Sequence, residues 1–319
     1  MHRTTTNAFE DENSLSARLY NLLIIIIDLI LTIVKFTYNN FEGIYNFIWP
    51  KEKEDVTNKV VLVTGTAHGI GKEIALNYAS LGARVVCWDI NEKGNIETIE
   101  EIKSRGGKAY HFVCNVRSRQ NIIDVAEKVK KEVGSIDIIV NNAGIMPCHP
   151  IMEHTETEIN NIFEINVLAH FWIIQAILPD MIEKKKGHIV ALSSCAGLIG
   201  IRNLVPYCAS KYAVRGLMQS LGEELRADPR DLDIKLTTVY PYMVDTGLCK
   251  KPRMRFPRLF KLLKPEQVAQ TLVDAQRSGI EEITAPGYYL YMESFFRLFP
   301  KKSLYPLQDF FNVGVDSDK

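Results

Sequence analysis

The chain has 319 residues, 46% of them hydrophobic and 24% charged, with a formal net charge of zero. That length accommodates one large domain or two small ones, and a neutral chain offers no global field for nucleic acid. The six cysteines (Cys87, Cys114, Cys148, Cys195, Cys208 and Cys249) form no CxxC pair and join no histidine cluster at ligand spacing. They are expected to be mostly small buried residues in a reducing compartment, with no metal.

The first element is "LYNLLIIIIDLILTIV", residues 19–34, with twelve aliphatic side chains and a single charge, Asp28. A cleaved signal peptide needs a basic start and a small-residue cleavage site; the start here is mixed in charge, and no A-x-A pattern follows. Sixteen helical residues reach roughly 24 Å, short of a roughly 30 Å hydrocarbon core. Twelve aliphatics contribute on the order of −5 kcal/mol to insertion and a central Asp costs about +3, so spanning is marginal. The next sixteen residues carry Phe36, Tyr38, Phe41, Tyr45, Phe47 and Trp49, a density that suits a membrane–water interface. Asp28, Thr32 and Lys35 share one helical face. The expectation is a helix or shallow hairpin embedded in one leaflet, a topology that also fits the monolayer of a lipid droplet; a core helix packed on its own domain is the alternative.

After the charged stretch "KEKEDVTNK" come six β-branched runs, "VVLVT" (60–64), "RVVCWD" (84–89), "AYHFVC" (109–114), "IDIIV" (136–140), "HIVALS" (188–193) and "IKLTTVY" (234–240). Segments of helical period, such as "NIIDVAEKVKKEV", separate them. Apolar strands alternating with helices predict βαβ units and a doubly wound parallel sheet, an α/β fold.

Directly after the first run stands "TGTAHGIGKEIA", with Gly65, Gly69 and Gly71. Glycine there lets the backbone turn sharply and approach a pyrophosphate, and the following helix aims its N-terminal amides at the anion. Asp89 ends the second run. A carboxylate at that tip accepts hydrogen bonds from the adenosine ribose hydroxyls and repels a 2′-phosphate. No Arg or Lys stands at Thr66 or Ile90, and His68 near the loop is mostly uncharged at neutral pH. NAD is therefore expected over NADP. Tyr207 and Lys211, in "YCASK", lie four apart on a predicted helix and so on one face. A cation one turn away favours phenolate, and Tyr207 can then exchange a proton with a substrate hydroxyl or carbonyl.

Three residues, not one, separate Gly65 from Gly69. That spacing, followed by "NNAG" at 141–144 and "YCASK" at 207–211, resembles the short-chain dehydrogenase/reductase family over roughly residues 57–290. The leader, "WDIN" and the aromatic end more loosely resemble its membrane- and lipid-droplet-associated retinol and 17-beta-hydroxysteroid dehydrogenases. The resemblance implies a single Rossmann domain at 59–292, after an anchor at 1–50 and a charged hinge at 51–58, and before an aromatic and basic tail at 293–319. It implies a catalytic group of Asn166, Ser194, Tyr207 and Lys211, with Ser193 one residue out of register. It also implies cofactor contacts at Gly65, Thr66, His68, Gly69, Ile70, Gly71, Asp89, Asn115, Val116, Asn142, Ala143, Gly144, Tyr207, Lys211, Pro241, Val244 and Thr246. Two positions depart from the family: Asn115 stands where an Asp is usual, and Tyr242 replaces the glycine after Pro241, placing an aromatic wall near the substrate.

The loop "LCKKPRMRFPRLFKLLK", 248–264, has seven basic residues and no acid. It is read as a basic amphipathic lid on anionic phospholipid, against the plainer reading of a solvated charged loop. The expected function is hydride transfer between NAD and a lipophilic alcohol or carbonyl, retinol- or steroid-like, at the endoplasmic reticulum membrane or a lipid droplet, with the catalytic domain facing the cytosol. The family is commonly oligomeric, which makes a homodimer one expected assembly. An NADPH-dependent carbonyl reductase and a lipid-droplet coat protein with a vestigial enzyme fold are the competing readings.

Overall fold

The computed structural model describes residues 15–49, 52–256 and 261–318. The mixed-charge start and Arg258 of the basic loop lie outside the described residues, and of Phe47 only the backbone is described. The chain divides into two units, Met1–Glu52 and Lys53–Lys319.

Among its described residues the first unit holds one continuous helix, α1 (Leu15–Ile48). Its 34 residues measure about 51 Å at 1.5 Å each, because the helix runs on through the aromatic stretch instead of reversing as a hairpin. Within it, Ala17–Asn46 is long and apolar enough to cross a membrane and has no buried side chain in its apolar window. The Thr32 hydroxyl donates to the Asp28 carbonyl one turn back, 2.7 Å.

The second unit is built on a parallel sheet of β1 (Val60–Thr64), β2 (Arg84–Asp89), β3 (Lys108–Val113), β4 (Ile138–Asn141), β5 (Lys186–Leu192), β6 (Asp233–Pro241) and, after a short β7 (Pro252–Arg253), β8 (Glu282–Ala285). The strand order is β3-β2-β1-β4-β5-β6-β8, reversing direction between β1 and β4. All six expected strands are present; β8 is an addition. Val61 and Val63 pack into one apolar layer and Val60 and Leu62 into the other, the period-two alternation of a strand covered on both faces. One layer takes its helical residues from α2 (Gly69–Ser80), α3 (Glu92–Ser104) and α8 (Pro265–Arg277). The other takes them from α4 (Arg119–Glu132), α6 (Ala169–Glu183) and α7 (Val205–Ala227). Side-chain caps start the helices where the loops end. Asn91 accepts from the Gly94 N–H, Ser118 accepts from the Asn121 N–H, and Thr155 with Glu158 forms a capping box at α5 (Glu156–Phe163).

Of the charged stretch read as a hinge, Lys53 onward is fastened to the second unit. Lys53 pairs with Asp274 at 2.7 Å, the Glu54 N–H donates to the Arg277 carbonyl at 2.7 Å, and Val56 is fully buried. The aromatic tail is folded too. It forms α9 (Tyr288–Phe296) and α10 (Lys301–Phe311), whose side chains are half-buried or exposed, and β9 (Gly314–Val315), which pairs antiparallel with β7. All six cysteines are free, five of them buried.

Candidate active site

The strand order reverses between β1 and β4, and doubly wound sheets bind ligands beyond the carboxyl ends of the strands at such a reversal. Gly65 and Gly69 hold φ of +74° and +61°, the left-handed region that suits glycine. Gly71 is required for a different reason. A Cβ there would lie 2.0 Å from the Gly65 carbonyl oxygen and 2.5 Å from the Asn142 amide nitrogen. The loop is thus folded close against the start of α2. A dinucleotide pyrophosphate fits this cradle.

Asn142 braces the cradle from β4. Its amide donates to the Thr64 and Gly65 carbonyls at 2.8 and 3.3 Å, and the Asn142 and Ala143 N–H groups both donate to the Thr64 hydroxyl at 3.0 Å. Thr66 is turned inward. Its hydroxyl donates to Asn95 Oδ1 at 2.7 Å and its carbonyl accepts from Thr98 at 2.9 Å, so any cofactor contact falls to its N–H. His68 is exposed at the N-terminal cap of α2 and makes no capping bond, and half-buried Ile70 packs on the core. Asp89, half-buried at the tip of β2, accepts from the Ala67 N–H through Oδ2 (2.9 Å) and from the Asn91 N–H through Oδ1 (2.8 Å). A carboxylate has about four lone-pair sites, so each oxygen keeps one for a ribose hydroxyl. Asn115 Oδ1 accepts from Arg117 N–H at 3.1 Å, and Val116 packs against the second apolar layer.

The residues expected to react lie where β4, β5 and α7 meet. Asn166 sits in a π-helical turn, Glu164–Leu168, between α5 and α6, a distortion frequent at functional sites. Its amide donates to the Ile145 carbonyl (3.0 Å) and the Ser210 hydroxyl (3.1 Å), and its Oδ1 accepts from the Ile145 N–H (2.9 Å). Gly144 lets these groups approach: a Cβ there would stand 3.3 Å from Asn166 Oδ1 and 3.7 Å from Lys211 Nζ. Lys211 is buried, donates to the Leu192 carbonyl at 2.8 Å, and holds Nζ 5.8 Å from the centre of the Tyr207 ring. Ser194, at the end of β5, caps a short turn by accepting from the Ala196 N–H at 3.1 Å. Ser193 is buried and donates to the Lys211 carbonyl at 2.8 Å, a packing role.

The electrostatics refine the expectation for Tyr207. Burial pushes its phenol up to about 12, and the Ser194 hydroxyl beside it pulls the other way. Burial also brings the Lys211 ammonium down to about 8. Desolvation is the larger influence on Tyr207, and it favours the neutral phenol.

Pro241 ends β6, Val244 is buried, and the Thr246 methyl would stand 3.2 Å from a Cβ on Gly69, which places Thr246 over the cofactor loop. Tyr242 stacks on Tyr289 with ring centres 5.0 Å apart, and Tyr289 stacks in turn on Tyr288 at 5.2 Å. The basic loop is only partly free. Arg253 pairs with Asp316 at 2.9 Å, Lys250 with Asp318 at 3.7 Å, and Arg255 donates to the Phe310 carbonyl at 3.2 Å.

Sequence reasoning passed over Thr64, Asn95 and Ser210, which brace the site without facing it. Asn95 is fully buried, and a signal for it existed: it shares a helical face with Thr98, Ile99 and Ile102 at spacings of three, four and seven.

A family model for short chain dehydrogenases matches residues 59–255. A bovine (Bos taurus) short-chain dehydrogenase/reductase family 16C member 6 is 40% identical over 252 residues, 79% of this chain and 79% of that protein. Human (Homo sapiens) 17-beta-hydroxysteroid dehydrogenase 13 is 36% identical over 264 residues, 83% of this chain and 87% of the relative. Among solved structures, a 7α-hydroxysteroid dehydrogenase complexed with NADH and 7-oxo glycochenodeoxycholic acid superposes with a TM-score of 0.66. It is 26% identical and covers 73% of this chain and 94% of its own. The chain belongs to the short-chain dehydrogenase/reductase family and is a nicotinamide-dinucleotide-dependent oxidoreductase acting on CH–OH groups.

Proposed function

We propose that this enzyme oxidises a lipophilic alcohol, steroid- or retinol-like, with NAD, at an endoplasmic reticulum membrane or lipid-droplet surface and with its catalytic unit in the cytosol. The observation that carries the chemistry is the convergence of Tyr207, Lys211, Ser194 and Asn166 beside the glycine cradle at one end of the sheet. When bound, the dinucleotide supplies the hydride acceptor. Ser194 holds the substrate oxygen by a hydrogen bond, and Tyr207 Oη exchanges the proton with that oxygen. Lys211 would hold the nicotinamide ribose hydroxyls, and its charge would favour the Tyr207 phenolate that oxidation requires, against the burial that raises the phenol. Asn166, fixed on Ile145 and Ser210, would link Lys211 to a chain of waters that carries the proton.

NAD is favoured by Asp89, whose remaining lone pairs suit ribose hydroxyls and whose charge opposes a 2′-phosphate. The lipophilic substrate is supported by the apolar residues beside Tyr207, by the stacked Tyr242 and by the hydroxysteroid relatives. Membrane association is supported by α1, whose apolar faces are unburied. The basic loop adds less than its composition suggests, because Asp316 and Asp318 neutralise part of it.

The test is NADH formation by membranes carrying the full chain, supplied with retinoids, sterols and fatty alcohols. Tyr207→Phe should cost about 10³-fold in turnover, within the 10²–10⁴ typical of general acid–base catalysis, and leave NADH binding nearly intact. Turnover retained by that variant would remove Tyr207 from the chemistry.

A further inference from the structure

A buried imidazole stands in the same layer as Lys211 and has no part in the group described above. The inner stripe of α6 is Ile173, Ile174, Ile177 and Met181, all buried in the second apolar layer. His170 precedes the first three by three, four and seven residues, so it heads that stripe, and it is 2% exposed. Lys211 heads the matching stripe of α7, ahead of Val214, Met218 and Leu221 in the same layer. On β4, Ile139 belongs to this layer, so Asn141, two residues on and 1% exposed, turns to the same face. Three polar side chains therefore end an otherwise apolar layer, next to Asn142 and the glycine cradle.

Their hydrogen bonds are unequal. Asn166 commits both its amide hydrogens and its oxygen to Ile145 and Ser210. Lys211 donates to the Leu192 carbonyl, and an ammonium has three donors. Asn141 Nδ2, Asn141 Oδ1 and His170 Nδ1 are buried and have no partner among the described residues. Buried polar atoms are nearly always satisfied, and an internal water typically bonds about three of them. Burial first, and then the charge of Lys211, bring His170 down to about 3, so its ring is neutral at pH 7 and one nitrogen accepts. Other charges on and around α6 are engaged elsewhere: Glu164 pairs with Arg117 at 2.7 Å, Asp180 with Lys130 at 2.8 Å, and Arg119 lies over the Trp172 ring.

We infer that His170 is a positioning residue: its neutral ring accepts through Nδ1 from buried water that also bonds the Asn141 amide and accepts from Lys211, and this keeps the Lys211 ammonium charged near Tyr207. The inference rests on the alcohol oxidation proposed above for the use made of that charge. A dry ammonium that loses an acceptor is less favoured in its charged form, and the phenolate of Tyr207 then forms only at higher pH.

The experiment has two arms, both on the full-length chain. In the first, kcat/KM with NAD and a 17β-hydroxysteroid is followed against pH in membranes. His170→Leu keeps most of the bulk and removes the acceptor, so the rising limb should move up by at least about 0.5 in pH, with kcat at pH 7 down at least about threefold. His170→Asn, whose amide takes the place of Nδ1, should return the limb to within about 0.2 of wild type. NADH affinity reports that each variant is folded. In the second arm, NMR of ¹⁵N-histidine in detergent reads the ring itself, with His170→Asn assigning its signals. The Nδ1 resonance should be that of a hydrogen-bonded acceptor in a neutral ring, and Lys211→Met should displace it. A limb that His170→Leu leaves in place, or that His170→Asn moves as far as leucine does, overturns the inference and leaves the proposed oxidation standing. A His170 resonance indifferent to Lys211→Met overturns it equally. A wild-type chain that oxidises no steroid counts against the proposed substrate, and the second arm then decides the inference alone, as it does if the leucine variant loses NADH binding.

Discussion

Gly71→Ala is the sharpest single-atom test of the cofactor cradle. The added Cβ would stand 2.0 Å from the Gly65 carbonyl oxygen, 2.7 Å from the Gly65 carbonyl carbon and 2.5 Å from Asn142 Nδ2. Two of these are backbone atoms of a tight turn, so the loop must lift off the helix. Overpacking of this kind costs about 1–3 kcal/mol. The Asn142 amide is displaced as well, and its hydrogen bonds to the Thr64 and Gly65 carbonyls contribute about 0.5–1.5 kcal/mol each. The total is about 2–6 kcal/mol, and at about 2 °C per kcal/mol for a chain of this size the midpoint should fall by about 4–12 °C. Gly216→Ala is the internal control. Gly216 lies within α7, and nothing comes within 4 Å of the place its Cβ would take, so alanine should stabilise by up to about 1 kcal/mol. Differential scanning fluorimetry and NADH fluorescence titration read both variants. The expected pattern is a large downward shift with at least about a tenfold loss of NADH affinity for Gly71→Ala, and a small upward shift with unchanged affinity for Gly216→Ala. A Gly71→Ala protein that melts and binds NADH like wild type would refute the argument that this approach of backbone to helix makes the cradle.

Two further outcomes are expected. Asp89→Ala should weaken NAD binding by about 1.5–3 kcal/mol, the range for hydrogen bonds to a charged group, and NADP much less; a wild-type enzyme that already works better with NADP(H) sinks both the assignment and the oxidative direction. His188 is buried, with Nε2 against the Thr237 hydroxyl at 2.9 Å and Nδ1 accepting from Gln276 at 3.1 Å, and burial lowers it from 6.5 to about 4. The folded state therefore binds fewer protons than the unfolded state between these values, so stability falls as pH drops through that window and levels off below about 4. Between pH 7 and pH 5 this amounts to about 2 kcal/mol, and urea unfolding of His188→Gln should show that much less acid sensitivity than wild type; parallel curves for the two proteins would contradict it.

Whatever depends on short-range spacing is legible in the sequence. Six strands follow from β-branched runs, because a strand covered on both faces is apolar throughout. The glycine turn into α2 follows from Gly65, Gly69 and Gly71 after a strand, and the placing of Tyr207 and Lys211 on one helix from a spacing of four. The leader declares itself by twelve aliphatic side chains in sixteen residues, although its continuation as one helix through the aromatic stretch does not. β8 escapes notice because "EITA" is four residues long, half polar, and defined only by pairing with β6.

Burial, and partners distant along the chain, are settled by packing instead. Proximity of Lys211 points to a lowered phenol in Tyr207, whereas the packed environment raises it, since desolvation cannot be read from a four-residue spacing. The basic loop reads as free cationic surface, but the acids that meet Lys250 and Arg253 lie more than sixty residues away, at Asp318 and Asp316. The tail reads as a separate aromatic segment, and its last residues instead close on Cys148 and Asn203 beside the site. A local pattern sets which face of an element is apolar; which distant segment covers that face is resolved only when the whole chain is packed.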